Sequence, residues 1–391
     1  MGACRMQTPD LRTYIEINLD AIEQNYRQAL ALLEPGARLL CVLKSNAYGH
    51  GLAPVARFLQ SLGADGFAVS CAREALCLRK AGITGDILCM GLCEAQYLDA
   101  MIRQRVWLTV ADVKSAQAAD AAAQRVGEKA CVHIKLDTGM HRLGFTPDEA
   151  GAAQIERVAA LPGLSLEGLY SHLQLITREL DEAQHARLAW MLKRLAASGV
   201  TFPRVHICDS IGMVRYPQWQ HDVVRAGAFL FGVRPSRSEH MPFECRSALR
   251  FVTTIAQIHT VPAGEYIGYD EDHRTQRETR VATLCAGYGD GYPRGMGNGA
   301  SVSIRGRLCP VLGVVCMDQM MVDVTDCPDA KAGDSAELMG GAIPVAQVAA
   351  WLHTNRNECL TILSARPPRV YIRNGEIAQI DDQLLGGLAN E

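Results

Sequence analysis

The 391-residue chain has no stretch approaching the roughly 20 apolar residues needed to cross a bilayer. Its opening, MGACRMQTPDLRTYIEINLD, lacks the charged-then-apolar order of a secretory signal. Neither sign of charge dominates: 39 Lys and Arg face 42 Asp and Glu, for a formal net charge of -3. That balance gives no reason to expect nucleic acid or an anionic membrane as a partner. There are 14 cysteines but no CxxC pair; Cys89 and Cys93 come nearest, both among apolar residues. Disulfide scaffolds are short and regularly spaced, and this chain is neither. The expectation is a soluble, cytoplasmic protein with reduced thiols and no metal site. Internal repeats, low-complexity tracts and long linkers are also missing.

What is present is alternation. Eight short apolar runs punctuate the first 235 residues: LLCVL (39–43), GFAVS (66–70), DILCM (86–90), VWLTV (106–110), VHIKL (132–136), LSLEGLY (164–170), RVHIC (204–208) and VVRAG (223–227). Helix-like segments such as PVARFLQSLG and EAQHARLAWMLKRLAASG lie between them, several ending at Gly. Eight β–α alternations predict an α/β fold, a (β/α)8 TIM-like barrel over residues 11–244. An open dinucleotide-binding sheet would carry a Gly-rich fingerprint after its first strand, and none is there. Beyond residue 245 the texture changes. FVTTIAQIHTV, TRVATLCAGY, ASVSIRGRLCPVLGVV and MMVDVTD alternate apolar and polar residues between Gly, Pro and Asp breaks. Residues 245–385 therefore read as a mainly antiparallel β domain.

Barrel enzymes place their chemistry at the C-terminal ends of the strands. Lys44 follows the first run, Arg142 the fifth, Ser171 and His172 the sixth, and Asp209 and Ser210 the seventh; the eighth carries Arg225 and then Gly227. A lysine directly after an apolar strand is desolvated, which lowers its pKa and favours Schiff-base formation. The same lysine could instead snorkel to the surface.

The segment KSNAYGHG closely resembles the cofactor-lysine motif of the alanine racemase family. KLDTGMHRLGF, LYSHL, HICDS, RAGAFLFG, AGYGDGYPR and VCMDQMMVDV follow in the family's order, so the resemblance spans the chain from IEINLDAIEQNY to RVYI. It implies pyridoxal 5'-phosphate as cofactor, held by Lys44, and a racemase that inverts the α-carbon of a small amino acid. Lys44 and Tyr288 are then bases on opposite faces, with Tyr288 supplied by the second subunit of a homodimer with shared active sites. Arg225 faces the pyridine nitrogen and keeps it unprotonated, His206 supports Arg225, and His172 lies by the ring. Tyr48, Ser210 and the backbone near Gly227 hold the phosphate. Arg142 and the backbone of Met317 take the substrate carboxylate, and Asp318 orders that site. Lys135 stands where many members carry a carbamylated lysine that positions the arginine.

Two segments depart from the family pattern. Ala365 stands where members usually have a tyrosine that narrows the entrance. Asp270, Glu271 and Asp272 add negative charge to another entrance segment. These departures open an alternative to alanine, a broader-specificity racemase acting on serine or basic amino acids. A related decarboxylase shares the cofactor lysine but would lack the AGYGDGY tyrosine and the Arg225 pattern. A non-catalytic cofactor-binding barrel would lack the second domain, and a cofactor-free barrel would show no absorbance from a bound aldehyde.

Overall fold

A computed structural model describes residues 11–234 and 244–386. The strands in chain order are β1 Thr13–Asn18, β2 Arg38–Val42, β3 Gly66–Val69, β4 Asp86–Cys89, β5 Trp107–Val110, β6 Ala130–Lys135, β7 Leu164–Tyr170, β8 Val205–His206 and β9 Val223–Ala226. Strands β2 to β9 are the eight apolar runs, and they pair in parallel in the order β8-β7-β6-β5-β4-β3-β2-β9. The Arg225 amide donates to Cys208 O at 3.1 Å, and Asp209 bridges Arg225, so the sheet closes into a barrel. Strands β3, β5 and β9 are buried along their whole length, because helices cover one face and the barrel core the other.

The helices start where their caps dictate. Asp112 accepts from Ser115 N and opens the helix Val113–Val126, which ends at Gly127 with φ 77°. Asp209 accepts from the amides of Ile211 and Gly212, turning the chain straight from β8 into the helix Ser210–Arg215. β8 is only two residues long although its apolar run is longer. Beyond it, Ile207 O accepts from the Arg225 guanidinium at 3.0 Å.

The second domain contributes β10 Leu249–Val261, β11 Thr279–Leu284, β12 Ser301–Ile304, β13 Arg307–Leu312, β14 Met320–Asp323, β15 Ser335–Met339, β16 Arg369–Arg373 and β17 Glu376–Asp381. β10 is 13 residues long and bends at a bulge between Ile255 and Gln257. It pairs with β15 along one stretch and with β11 along the next, so the run β11-β14-β13-β12-β15 closes back on β10. The domain is antiparallel throughout apart from the parallel pair β1–β16.

That pair corrects one boundary. Residues 11–244 are expected to form the barrel, but β1 does not enter it. Tyr14 pairs with Val252 on one side, and Ile15 to Asn18 pair with Arg369 to Ile372 on the other. Tyr14 to Ile17 are buried on both faces, Glu16 paired with Arg250, which a central strand of the second sheet provides.

Candidate active site

A cavity of about 700 Å³ opens at the C-terminal ends of the barrel strands. Lys44 enters it at the end of β2. The four residues after Lys44 adopt an uncommon conformation: Ser45, Asn46, Ala47 and Tyr48 have φ between 52° and 55°, a left-handed turn made without glycine. Each such residue costs about 1–2 kcal/mol. Local hydrogen bonds offset that cost. Ala47 N donates to Leu43 O at 2.8 Å, Gly49 N to Ser45 O at 3.0 Å, and Leu52 N to Asn46 Oδ1 at 2.8 Å. Glu74 accepts from Ser45 N at 2.6 Å and from Ser70 N at 2.9 Å. The second domain holds the far end: Arg369 Nε donates to Gly49 O at 3.3 Å and Tyr371 Oη to His50 O at 2.9 Å. The turn leaves Lys44 at the cavity and brings Tyr48 back beneath it.

Burial lowers the Lys44 pKa, helped by the Arg142 and Arg225 guanidiniums. Lys44 therefore carries more free amine near neutral pH than an exposed lysine.

Tyr48, Ser210 and Gly227 form a cradle. Gly227 N points to Ser210 Oγ at 3.2 Å, and a Cβ on Gly227 would lie 2.5 Å from the Tyr48 hydroxyl. Any side chain would fill the space where these two hydroxyls and one backbone N–H converge. Such a donor set suits a phosphate, so the residues present fit the phosphate end of the expected cofactor.

Arg225 is buried and, among the described residues, has no carboxylate within ion-pair distance. Nη1 donates to His206 Nδ1 at 2.6 Å; Nη2 donates to Ser171 O at 2.9 Å and to Ile207 O at 3.0 Å, and lies 3.3 Å from His172 Nδ1. A guanidinium can only donate, so His206 Nδ1 accepts and its proton sits on Nε2. That Nε2 is 3.1 Å from His133 Nδ1, which must then accept in turn. One cation thus sets the tautomer of both histidines. Burial holds both neutral: His133 falls to about 3, and His206 lies well below its ordinary value, with Arg225 adding to the effect. Tyr170 stacks on His206 with centroids 4.8 Å apart, and Trp107 stacks on His133 at 4.7 Å. Gly168 makes room, since a Cβ there would meet the His133 ring at 2.5 Å. His172 lines the cavity, and burial lowers it to about 4.

Lys135 ends β6, buried, with Nζ donating to Leu136 O at 2.9 Å and lying 5.3 Å from the Tyr170 ring centre. Arg142 also lines the cavity; its amide is held by Asp137 at 3.0 Å. Among the described residues no group pairs with its guanidinium. The cavity is cationic, with Lys44, Lys135, Arg142, Arg225, Arg234 and Arg356 against Asp209.

Tyr288, Met317 and Asp318 are not at this cavity. They form a second cluster on the β domain, where Tyr288 is 41% and Met317 53% exposed. Tyr288 N donates to Cys316 O at 3.0 Å and Gly289 N to Met317 O at 2.8 Å. Ala365 is exposed near this cluster, beside Arg366. In the acidic segment Asp270 pairs with Arg294, and Asp272 accepts from Asn298 Nδ2 at 2.6 Å. Sequence reading missed His133, although it stands two residues before Lys135 and so shares its face of an apolar strand. It also missed the pair of Asp290 and Arg366, which lie 76 residues apart.

The alanine racemase N-terminal domain matches residues 17–235, and the alanine racemase C-terminal domain matches residues 248–371. The chain is 38% identical over 365 residues to the alanine racemase of Desulforamulus reducens, covering 92% of this chain and 98% of that one. It is 36% identical over 371 residues to that of Desulfovibrio desulfuricans, with coverages of 93% and 99%. Among solved structures, an alanine racemase of Clostridium difficile superposes with a TM-score of 0.93 at 33% identity, covering 96% of this chain and all of that one. The alanine racemase of Bacillus anthracis with bound L-Ala-P superposes with a TM-score of 0.90 at 30% identity, with coverages of 97% and 100%. The chain belongs to the alanine racemase family.

Proposed function

We propose that this protein interconverts L- and D-alanine with pyridoxal 5'-phosphate, using Lys44 and Tyr288 as bases on opposite faces of the α-carbon. The observation that carries this reading is one cationic cavity combining a desolvated lysine, a phosphate cradle and an Arg142 whose guanidinium has no partner among the described residues. When bound, pyridoxal phosphate supplies the electron sink that makes an α-hydrogen removable. The chain supplies the rest. Tyr48, Ser210 and Gly227 N hold the phosphate, and Arg142 takes the substrate carboxylate. Arg225, fixed as a donor by His206, keeps the ring nitrogen unprotonated, and His172 lies by the ring. Lys44 moves the proton on one face.

The other face needs a second chain. Tyr288, with Met317 and Asp318 behind it, lies on an exposed face outside its own cavity, which fits a homodimer in which each copy completes the other's site. The 13 described cysteines are unpaired, in keeping with a reducing, cytoplasmic setting.

Chiral chromatography of products from a panel of L-amino acids tests the substrate. Alanine is expected to invert fastest, and failure to invert it would sink the reading. Broader use of serine or basic amino acids gains no support. The cavity's own charge is positive, and the acidic segment that would attract cations is engaged by Arg294 and Asn298. A decarboxylase gains none either.

Two further outcomes are expected. Gly227→Ala places a methyl group against the Tyr48 hydroxyl and weakens pyridoxal phosphate binding by roughly 10- to 100-fold, the worth of one charge-assisted hydrogen bond. Equilibrium dialysis of the cofactor reads this directly; unchanged affinity would remove the cradle assignment. The second concerns Lys135, whose pKa burial and Arg225 bring down to about 7. A depressed amine is neutral above its pKa, so raising the solution from about pH 6 to about pH 8 converts Lys135 to the form that adds carbon dioxide. Carbon-13 bicarbonate should label the wild type increasingly across that window and leave Lys135→Arg unlabelled. Equal labelling of both would show that Lys135 is not the acceptor.

A further inference from the structure

Within its own chain, the reacting tip of Tyr288 has no anchor among the described residues. Its ring is partly exposed, and among the described residues no group bonds its hydroxyl. What its own chain contributes to its position is the backbone turn that carries it. That turn, Tyr288–Asp290, is closed by the buried carboxylate of Asp290, whose Oδ2 accepts from Gly287 N at 2.9 Å. The other oxygen of Asp290 faces Arg366 Nη1 at 3.3 Å. Arg366 Nη2 reaches the neighbouring loop and donates to Asp318 Oδ1 at 2.7 Å. The guanidinium lies against Gly289, where a Cβ would sit 3.0 Å from Nη1. The base of the arginine is fixed as well. Its amide donates to Ser364 Oγ at 3.2 Å, and Ser364 N donates to Asp290 O at 3.3 Å. One cation thus joins three loops: the Tyr288 turn, the Met317–Asp318 loop and the segment carrying Ala365.

We propose that Arg366 is a positioning residue that fixes the Tyr288 turn against the Met317–Asp318 loop, so that the phenol and the carboxylate-binding backbone reach the partner's cavity in one geometry. This rests on the two-base reading with Tyr288 as the second base. A forked donor suits the task because it serves two carboxylates at once at a set separation. Without it, Asp290 becomes a buried carboxylate holding a single amide, and the turn loosens. A displacement of about 1 Å in a reacting group costs about 10²-fold in rate. Lys44, on the barrel, does not depend on Arg366.

The consequence is asymmetric. Lys44 can take the α-proton from one enantiomer and return a solvent deuteron to the same face, giving exchange with retained configuration. Inversion additionally needs a proton delivered by Tyr288 to the opposite face. In heavy water, Arg366→Met is expected to keep exchange-with-retention near the wild-type rate for one enantiomer, while inversion falls roughly 10- to 100-fold. Arg366→Lys, which keeps the charge but not the fork, should recover part of the inversion. Amide hydrogen exchange supplies a readout apart from turnover: residues 287–291 and 316–319 should exchange faster in Arg366→Met, with barrel peptides unchanged, with or without pyridoxal phosphate. An unchanged ratio of exchange to inversion, or equal loss of both, overturns the proposal, as does unaltered amide exchange in the two loops. Tyr288→Phe run in parallel separates the causes. Inversion retained there removes the two-base reading and this role with it. Inversion lost there but kept in Arg366→Met removes the role of Arg366 alone.

Discussion

Lys44→Ala lowers alanine inversion by roughly 10³-fold or more, and the variant no longer retains pyridoxal phosphate covalently after borohydride reduction. Two lysines line the cavity, Lys44 and Lys135, so the assignment is a choice between them. Lys135 is committed to Leu136 O at 2.9 Å and packs over the Tyr170 ring. Lys44 has no such partner among the described residues, and burial with two nearby guanidiniums depresses its pKa. The strained left-handed turn after it is held by both domains, so the lysine sits on a rigid support. Mass spectrometry of the reduced, digested protein reads the attachment. Cofactor found on Lys135 in the wild type, or persisting covalently in Lys44→Ala, would falsify the assignment.

Tyr288→Phe lowers inversion by roughly 10²- to 10⁴-fold, the range for a lost general acid–base group. The two variants should also complement each other. In a dimer of one Lys44→Ala chain and one Tyr288→Phe chain, one site has lost both bases and the other has kept both. Mixing the inactive proteins so that subunits exchange at random should restore roughly a quarter of wild-type activity. No recovery in verified mixed dimers, or a fully active monomer, would mean that Tyr288 serves its own chain's cavity.

Much of the barrel was legible because parallel strands covered on both faces must be continuous apolar runs, and the eight runs from LLCVL to VVRAG became the eight barrel strands. β1 was not legible in the same way. TYIEIN satisfies any sheet that covers both its faces, and its partners Arg369 to Ile372 lie some 350 residues later. The family resemblance named Lys44, Arg225, His206 and the phosphate residues, but not the full chain of hydrogen bonds behind Arg225. That depended on His133, which reads as an ordinary strand residue until β7 and β8 bring Tyr170 and His206 beside it.

By itself the sequence determined the order of elements, the two-domain plan and the residue types at the strand ends, because periodicity and motif order are local properties of the chain. Only the tertiary structure decided which of those residues meet. It gathered Lys44, Lys135, Arg142 and Arg225 around one cavity, left Tyr288 and Met317 on an outer face, and tied that face together through Arg366. The physical reason is range. Strand register and barrel closure act across hundreds of residues, and distances, burial and pKa shifts exist only once those distant segments are packed.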